Sequence, residues 1–167
     1  KTHQTGNIKF DVAANTGKFT AAQIAELRDE LGFGTDPGTL VLLGSSTWVG
    51  EEVMLLGVIQ AALAAKLDAR LLLVPRHAER RKEIIALLEK QPLPWHARST
   101  SPRARQPVKI YLGDTTGELA RLTQAADVAF IGKSLSPHQG GQTPIEAAAL
   151  GVPMVYGSRM SNFRDAC

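Results

Sequence analysis

The segment Leu71-Leu72-Leu73-Val74-Pro75-Arg76-His77 decides the fold class. Its four leading apolar residues do not alternate with polar ones, which is typical of a strand buried on both faces of a sheet. Comparable apolar runs lie at residues 40–43, 108–112 and 128–131, and stretches with helical patterns separate them. This alternation predicts a Rossmann-like α/β fold, a parallel sheet in three α/β/α layers.

The segments between these runs predict the helices. Thr20-Ala21-Ala22-Gln23 is a capping-box pattern that opens a helix to about residue 31, and Gly32 ends it. Further helices are expected at about 50–66, 79–90 and 116–125. Residues 91–106 are expected to be largely irregular, with at most one strand. A last strand is expected at 152–156. Residues 1–18 are interpreted as a segment that leads into the domain or links it to another, and residues 19–167 as the domain.

Composition excludes several kinds of protein. The chain has 167 residues, a net charge of +3, 44% hydrophobic and 21% charged residues, as expected of one globular domain with a real core. Its few aromatic residues do not alternate with arginine, so no nucleic acid is expected as a partner. The single cysteine, Cys167, permits no disulfide within the chain. The four histidines show no metal-ligand spacing, and no metal or cofactor is expected.

The run Gly140-Gly141-Gln142-Thr143-Pro144-Ile145-Glu146 is a glycine-rich loop followed by a short helix. Glycines allow a ligand to approach the backbone, and free amides at a helix start attract phosphate. Glu146 is then placed to accept hydrogen bonds from ribose hydroxyls, as a nucleotide sugar requires. The alternative is local: Thr143 caps the helix, Pro144 takes its first position, and Glu146 closes a capping box.

Other candidate residues also follow predicted strands, where ligands of parallel sheets bind. Arg76 suits a phosphate or carboxylate, because a cation at a helix start opposes the helix dipole unless an anion is near. For Thr115 to Glu118 we favour a capping box over a ligand contact. Hydroxyl capping is favoured for residues 44–47, with phosphate or sugar contact as the alternative. His138, in the loop after residue 131, is interpreted as a surface residue, with a general acid or base as the alternative. The further candidates are Ser46, Thr47, His77 and His138.

At these residues the chain resembles the C-terminal half of the Kdo transferases, which move 3-deoxy-D-manno-oct-2-ulosonic acid (Kdo) from CMP-Kdo to lipid A precursors. The matching stretches run in order over nearly the whole chain. They are residues 6–11, Ser46-Thr47, Gly50-Glu51-Glu52, residues 74–77, Leu112-Gly113-Asp114-Thr115, Gly117-Glu118-Leu119, residues 126–130, Pro144 with Glu146, residues 148–153, and Asn162-Phe163.

The resemblance implies one half of a GT-B glycosyltransferase, the half that binds the donor. It implies nucleotide contacts from Pro75 and Arg76, from Gly117, Glu118 and Leu119, and from Thr143, Pro144, Ile145 and Glu146. It also implies an inverting enzyme at the cytoplasmic face of the bacterial inner membrane, with the catalytic base and the membrane contact in an N-terminal domain that this chain lacks. The isolated chain is then expected to be inactive and to expose an apolar face that favours self-association.

The chain departs from the family pattern in the loop after His138, which is one residue longer, and in residue type at three places. Gln142-Thr143 stands where the family has His-Asn, Trp48 replaces a usual His, and Ser158-Arg159 replaces a usual Pro-His. Two alternatives therefore stay open at this point. One is another GT-B enzyme or a sugar-nucleotide epimerase with a different nucleotide sugar. The other is a non-catalytic Rossmann-like binding module.

Overall fold

The sheet of the computed structural model, which describes residues 17–167, has six parallel strands. In space the strands lie in the order β3-β4-β2-β1-β5-β6. The central strands β1, β2, β4 and β5 are largely buried, so the apolar runs of the sequence become the middle layer of the fold. The strands are β1 Leu40–Thr47, β2 Ala69–Pro75, β3 Trp95–Ala97, β4 Ile110–Leu112, β5 Val128–Ile131 and β6 Met154–Val155.

Helices connect the strands and cover both faces of the sheet. Thr20 caps α1 as predicted: its hydroxyl accepts from the Gln23 amide at 3.3 Å, and the Gln23 side chain accepts from the Thr20 amide at 2.9 Å. The α-helices are α1 Ala21–Glu30, α2 Glu51–Ala64, α3 Arg81–Leu88, α4 Leu119–Thr123 and α5 Ile145–Leu150. Short 3-10 helices cover Ala78–Arg80 and Ser161–Ala166.

Two apolar clusters hold the layers together. On one face, Leu27 of α1 and Leu31, which follows this helix, pack with Val41 and Leu43 of β1. On the other face, residues of α2 and α3 pack with Leu71 and its neighbours in the sheet. Successive strand residues point to opposite faces, so a strand without polar alternation feeds both clusters at once. The predicted three-layer α/β/α architecture is confirmed.

The chain changes direction through the sheet at β1. From β1 it moves outward to β2 and on to β4, whereas β5 returns to pair with the other side of β1. The connections that leave β1 and β5 therefore run to opposite sides of the sheet, which makes their carboxyl ends a topological switch point, where open α/β sheets form their ligand crevice. The segments that follow β1, β2 and β5 all lie at this edge.

Several predicted boundaries were wrong in an informative way. Residues 44–47 were expected to be a capping loop, yet they are the last residues of β1, and Ser45 pairs with Val74 and Thr47 with Pro75. Ser46 forms a bulge there with a φ of 53°. The helix predicted at about 116–125 covers only Leu119–Thr123, and the one expected at about 79–90 begins as the 3-10 turn Ala78–Arg80. The proposed leading segment lies outside the described residues apart from Gly17 and Lys18.

Candidate functional site

The indole of Trp48 brings together three segments at the switch point. Its ring centroid lies 5.2 Å from that of His77 and 5.5 Å from that of His138. The ammonium nitrogen of Lys133 lies 4.5 Å from the ring centroid, a cation–π contact. These side chains follow β1, β2 and β5, so the fold joins residues that are up to 90 positions apart in the sequence. We call Trp48, His77, Lys133 and His138 the Trp48 cluster.

Two backbone contacts position the cluster. The Arg76 amide donates to the Thr47 carbonyl at 3.1 Å, which places the Arg76-His77 step beside the end of β1. A ring nitrogen of His138 lies 2.8 Å from the Val49 carbonyl oxygen, which ties the loop after β5 to the same point. The predicted candidates Arg76, His77 and His138 thus lie at one edge. The Arg76 side chain is exposed, while Pro75 is buried.

A buried carboxylate holds the ends of β1 and β5 together. Glu51, the first residue of α2, is 2% exposed. Its oxygens accept from the backbone amides of Trp48 and Lys133, each at 2.9 Å, and of Ser134 at 3.2 Å. These amides lie where a nucleotide phosphate binds in many doubly wound folds. Here a side chain already satisfies them, so an anionic ligand must be met by other groups.

The neighbouring Glu52 fixes the other side of the β1 end. It is 2% exposed, accepts from the Thr47 hydroxyl at 2.8 Å, and pairs with Arg80 at 2.8 Å. Burial works to lower the pKa of Arg80, but hydrogen bonds to Glu83 and Glu52 raise it above its ordinary value. The candidate Thr47 is therefore occupied within the protein. The helix α2 follows Gly50, which has no capping side chain, so the predicted hydroxyl capping was wrong.

The glycines of the predicted phosphate loop serve packing in this structure. A Cβ on Gly140 would lie 2.6 Å from Nδ2 of Asn162, and one on Gly141 would lie 2.3 Å from Sδ of Met160. Both glycines have positive φ, 95° and 74°. The segment that follows β6 therefore fills the space on this side of the two glycines, and the ligand contact predicted at Gly140 and Gly141 stays a prediction.

The loop continues into α5 with a partial cap. The Gly141 amide donates to the Lys133 carbonyl at 3.2 Å and the Gln142 amide to the Gly132 carbonyl at 2.9 Å. The Thr143 hydroxyl accepts from the Ile145 amide at 3.3 Å, as a capping residue does.

α5 begins at Ile145, one residue later than predicted, so Pro144 precedes the helix. Ile145 is buried in the core. Glu146 lies in the first turn and is half-buried.

The candidate Glu118 is bound by an arginine that follows β3. Nε and Nη2 of Arg98 donate to its two oxygens at 2.6 and 2.5 Å. This hydrogen-bonded pair lowers the pKa of Glu118. The Thr115 hydroxyl also donates to Glu118, and α4 has no capping side chain. The predicted capping box was therefore wrong, since Glu118 turns to Arg98 and away from its own helix.

The same arginine joins three elements. Arg98 is 8% exposed, and its Nη1 donates to Glu30 of α1 at 3.0 Å and to the Tyr111 hydroxyl of β4 at 3.1 Å. Arg121 of α4 also pairs with Glu30, at 2.7 Å. We call these groups with Glu118 the Arg98 network. It anchors the segment before α4, and α4 packs against α5, so the two predicted nucleotide segments lead into neighbouring helices.

An apolar groove of about 420 Å³ lies on the α2 face of the sheet. Its walls come from α2, β1, β5 and β6, and none of its described lining residues is charged. A nucleotide carries phosphate and hydroxyl groups that such walls would leave without partners. The groove therefore does not suit a nucleotide, and it adds to the exposed apolar surface at Val53, Val58 and Val155.

Comparison with known proteins assigns the chain. It is 36% identical to 3-deoxy-D-manno-octulosonic acid transferase of Haemophilus influenzae over 99% of this chain and 37% of that protein. It is 37% identical to the Bordetella pertussis transferase of the same name over 97% of this chain and 37% of that protein. A crystal structure of the C-terminal CMP-Kdo binding domain of WaaA from Acinetobacter baumannii matches with a TM-score of 0.75 and 30% identity, over 87% of this chain and 74% of that one. The chain belongs to the Kdo transferase family.

The resemblance seen in the sequence motifs is thus confirmed, as is the Rossmann-like fold. This Kdo transferase family chain spans little more than a third of the length of the curated relatives, 37% in both cases. A scan against models of known protein families found no match.

Residues 17–167 contain no group of three or more His, Cys, Asp or Glu side chains arranged to hold a metal ion. Among the helices of this same part of the chain, none is both long and apolar enough to cross a bilayer.

Sequence reasoning missed the residues that organise this site in the Kdo transferase family chain. Gly50-Glu51-Glu52 belongs to the family pattern, but nothing in its spacing shows that Glu51 reaches the loop after β5. The sequence does not mark Lys133 as a site residue, because an isolated lysine after a strand is usually solvated. Only the structure distinguishes Lys133, by its φ of 59° and by the position of its ammonium over the Trp48 ring.

Proposed function

We propose that this chain is the donor-binding domain of a Kdo transferase and holds CMP-Kdo at the carboxyl ends of β1, β2 and β5. The observation that carries the proposal is the Trp48 cluster, which gathers aromatic and basic side chains from three strands at the switch point. The likeness to a solved domain that binds CMP-Kdo supports the choice of ligand.

Each predicted segment receives a role in this proposal. Arg76 binds the phosphate or the Kdo carboxylate, because its exposed guanidinium forms no ion pair with a described carboxylate and suits such anions. Glu146 accepts from the ribose hydroxyls. The Gly117-Glu118-Leu119 segment contributes backbone groups, since Arg98 binds the Glu118 carboxylate and Leu119 packs on the core.

For the whole protein we propose an inverting transfer without a metal ion, in a GT-B enzyme at the cytoplasmic face of the inner membrane. A hydroxyl oxygen of a lipid A precursor forms a bond to the anomeric carbon of Kdo. The bond from that carbon to the phosphate oxygen breaks, CMP leaves, and a base outside this chain takes the hydroxyl proton. This chain positions the donor and stabilises the phosphate of departing CMP, so the chain alone is inactive.

The test is CMP binding by two arginine variants, measured by isothermal titration calorimetry. Arg76→Gln is expected to weaken CMP binding about tenfold, since a hydrogen bond to a charged group contributes about 1.5–3 kcal/mol. The matched control is Arg105→Gln, which removes an exposed arginine from a pocket lined also by Gly34, Asp36 and Asp68. Equal CMP affinity of the two variants would show that the site is misplaced.

A further inference from the structure

Lys133 has a backbone conformation that its residue type disfavours. Its φ is 59°, in the left-handed region, where a side chain crowds its own backbone. The Glu51 carboxylate holds the Lys133 amide at 2.9 Å, so the surrounding structure imposes this conformation. Such strained residues cluster at binding sites, where the strain directs a side chain to a place that a relaxed backbone would not reach.

The strained backbone places the Lys133 side chain over Trp48. The ammonium lies 4.5 Å from the ring centroid, with His77 and His138 against the same indole. Trp48 and Lys133 are both half-buried. A cation held over an aromatic face loses part of its freedom before a ligand arrives, which reduces the entropy cost of binding.

The charge of Lys133 is not neutralised within the described part of the chain. Over residues 17–167, the ion pairs engage Arg28, Arg70, Arg80, Arg81, Arg98, Arg103, Arg121, Lys109 and His77, and none includes Lys133 or Arg76. Both cations follow strands that end at the switch point. The amides that could bind an anion there are already occupied by Glu51. An anion that binds between the ends of β1 and β5 must therefore be met by side chains.

We propose that the Lys133 ammonium binds an anionic group of the donor, a phosphate or a carboxylate, and that Trp48 is the positioning residue that holds it there. This inference rests on the proposed function for the presence of the donor. Trp48 and Lys133 then determine specificity for the donor. A nucleotide of a neutral sugar has only its phosphate and would engage one of the two cations Arg76 and Lys133. A nucleotide of an acidic sugar also has a carboxylate and would engage both.

The experiment titrates the chain with cytidine, CMP and free Kdo, followed by NMR. Cytidine carries neither anion, CMP carries the phosphate alone, and Kdo carries the carboxylate alone. Lys133→Met is expected to weaken one charged probe about tenfold and to leave cytidine unchanged. Loss of CMP affinity assigns Lys133 to the phosphate, and loss of Kdo affinity assigns it to the carboxylate; either result supports the proposal. Lys90→Met, on an exposed lysine after α3, is the control.

Two further variants separate binding from folding. Lys133→Gly relieves the strained φ, so it is expected to unfold at a higher urea concentration while binding the affected probe about tenfold more weakly. Trp48→Leu is expected to weaken the same probe and to spare cytidine. If the chain binds CMP and Kdo and neither affinity changes in Lys133→Met and Lys133→Gly, the role of Lys133 is overturned. If the unmodified chain binds neither CMP nor Kdo, the proposed function fails, and this inference with it.

Discussion

Glu51→Ala is expected to lower the free energy of unfolding by about 3 kcal/mol, because it removes the acceptor of three backbone amides at once. Each buried donor left without a partner costs about 1–3 kcal/mol, and water that enters the space recovers part of the sum. The effect is large because the amides of Trp48, Lys133 and Ser134 lie on two different loops. Urea denaturation followed by circular dichroism measures it.

The control for this prediction is Glu26→Ala, on the exposed side of α1. Exposed substitutions of this kind change stability by less than about 0.5 kcal/mol. Glu51→Gln keeps one acceptor oxygen, so its free energy of unfolding is expected to lie between those of Glu51→Ala and Glu26→Ala. If Glu51→Ala is as stable as Glu26→Ala, the carboxylate does not hold the ends of β1 and β5 together.

Arg98→Met is expected to lower the free energy of unfolding at pH 7 by about 3 kcal/mol, because it leaves the carboxylates of Glu118 and Glu30 without their shared partner. Methionine keeps much of the buried side-chain volume, so the loss is chiefly of charge and hydrogen bonds. The Tyr111 hydroxyl loses a donor as well. Urea denaturation of the two proteins at pH 7 gives the difference.

The same variant predicts a pH dependence. The hydrogen bonds from Arg98 lower the pKa of Glu118 below its ordinary value of 4.5. Burial works to raise the pKa of Glu30, but Arg121 and Arg98 lower it overall. A carboxylate with a lowered folded-state pKa adds stability above its unfolded pKa, and this stability is lost as the pH falls through the folded value. The difference between the unmodified chain and Arg98→Met is therefore expected to narrow below pH 4.5. An equal difference at pH 7 and pH 3 would show that packing, and not charge, sets the cost.

The strands of the sheet could be predicted because a strand that is buried on both faces has an apolar sequence without polar alternation. The run at 128–131 became β5 with the same bounds, and the run at 71–74 became the centre of β2. The end of β1 escaped prediction because Ser46 and Thr47 look like loop residues. They are held in the strand by pairing with β2 and by the hydrogen bond from Thr47 to Glu52, which are tertiary contacts.

The candidate site was only half predictable for the same reason. Arg76, His77 and His138 were found because residues after parallel strands converge at one edge. The partner of Glu118 could not be found, since Arg98 lies 20 positions away with no periodic relation to it. Gly140 and Gly141 were interpreted as making room for a ligand, but the side chains that fill the space, Asn162 and Met160, come from beyond β6.

We expect a cytidine nucleotide to bind at the carboxyl ends of β1, β2 and β5. The most direct measurement is a map of amide chemical-shift changes as CMP is added to the chain. We expect the largest changes at Trp48, Arg76, His77 and Lys133, with further changes at the start of α5. If the largest changes instead fall at the opposite edge of the sheet, around Asp36 and Asp68, the nucleotide does not bind at the ends of these strands.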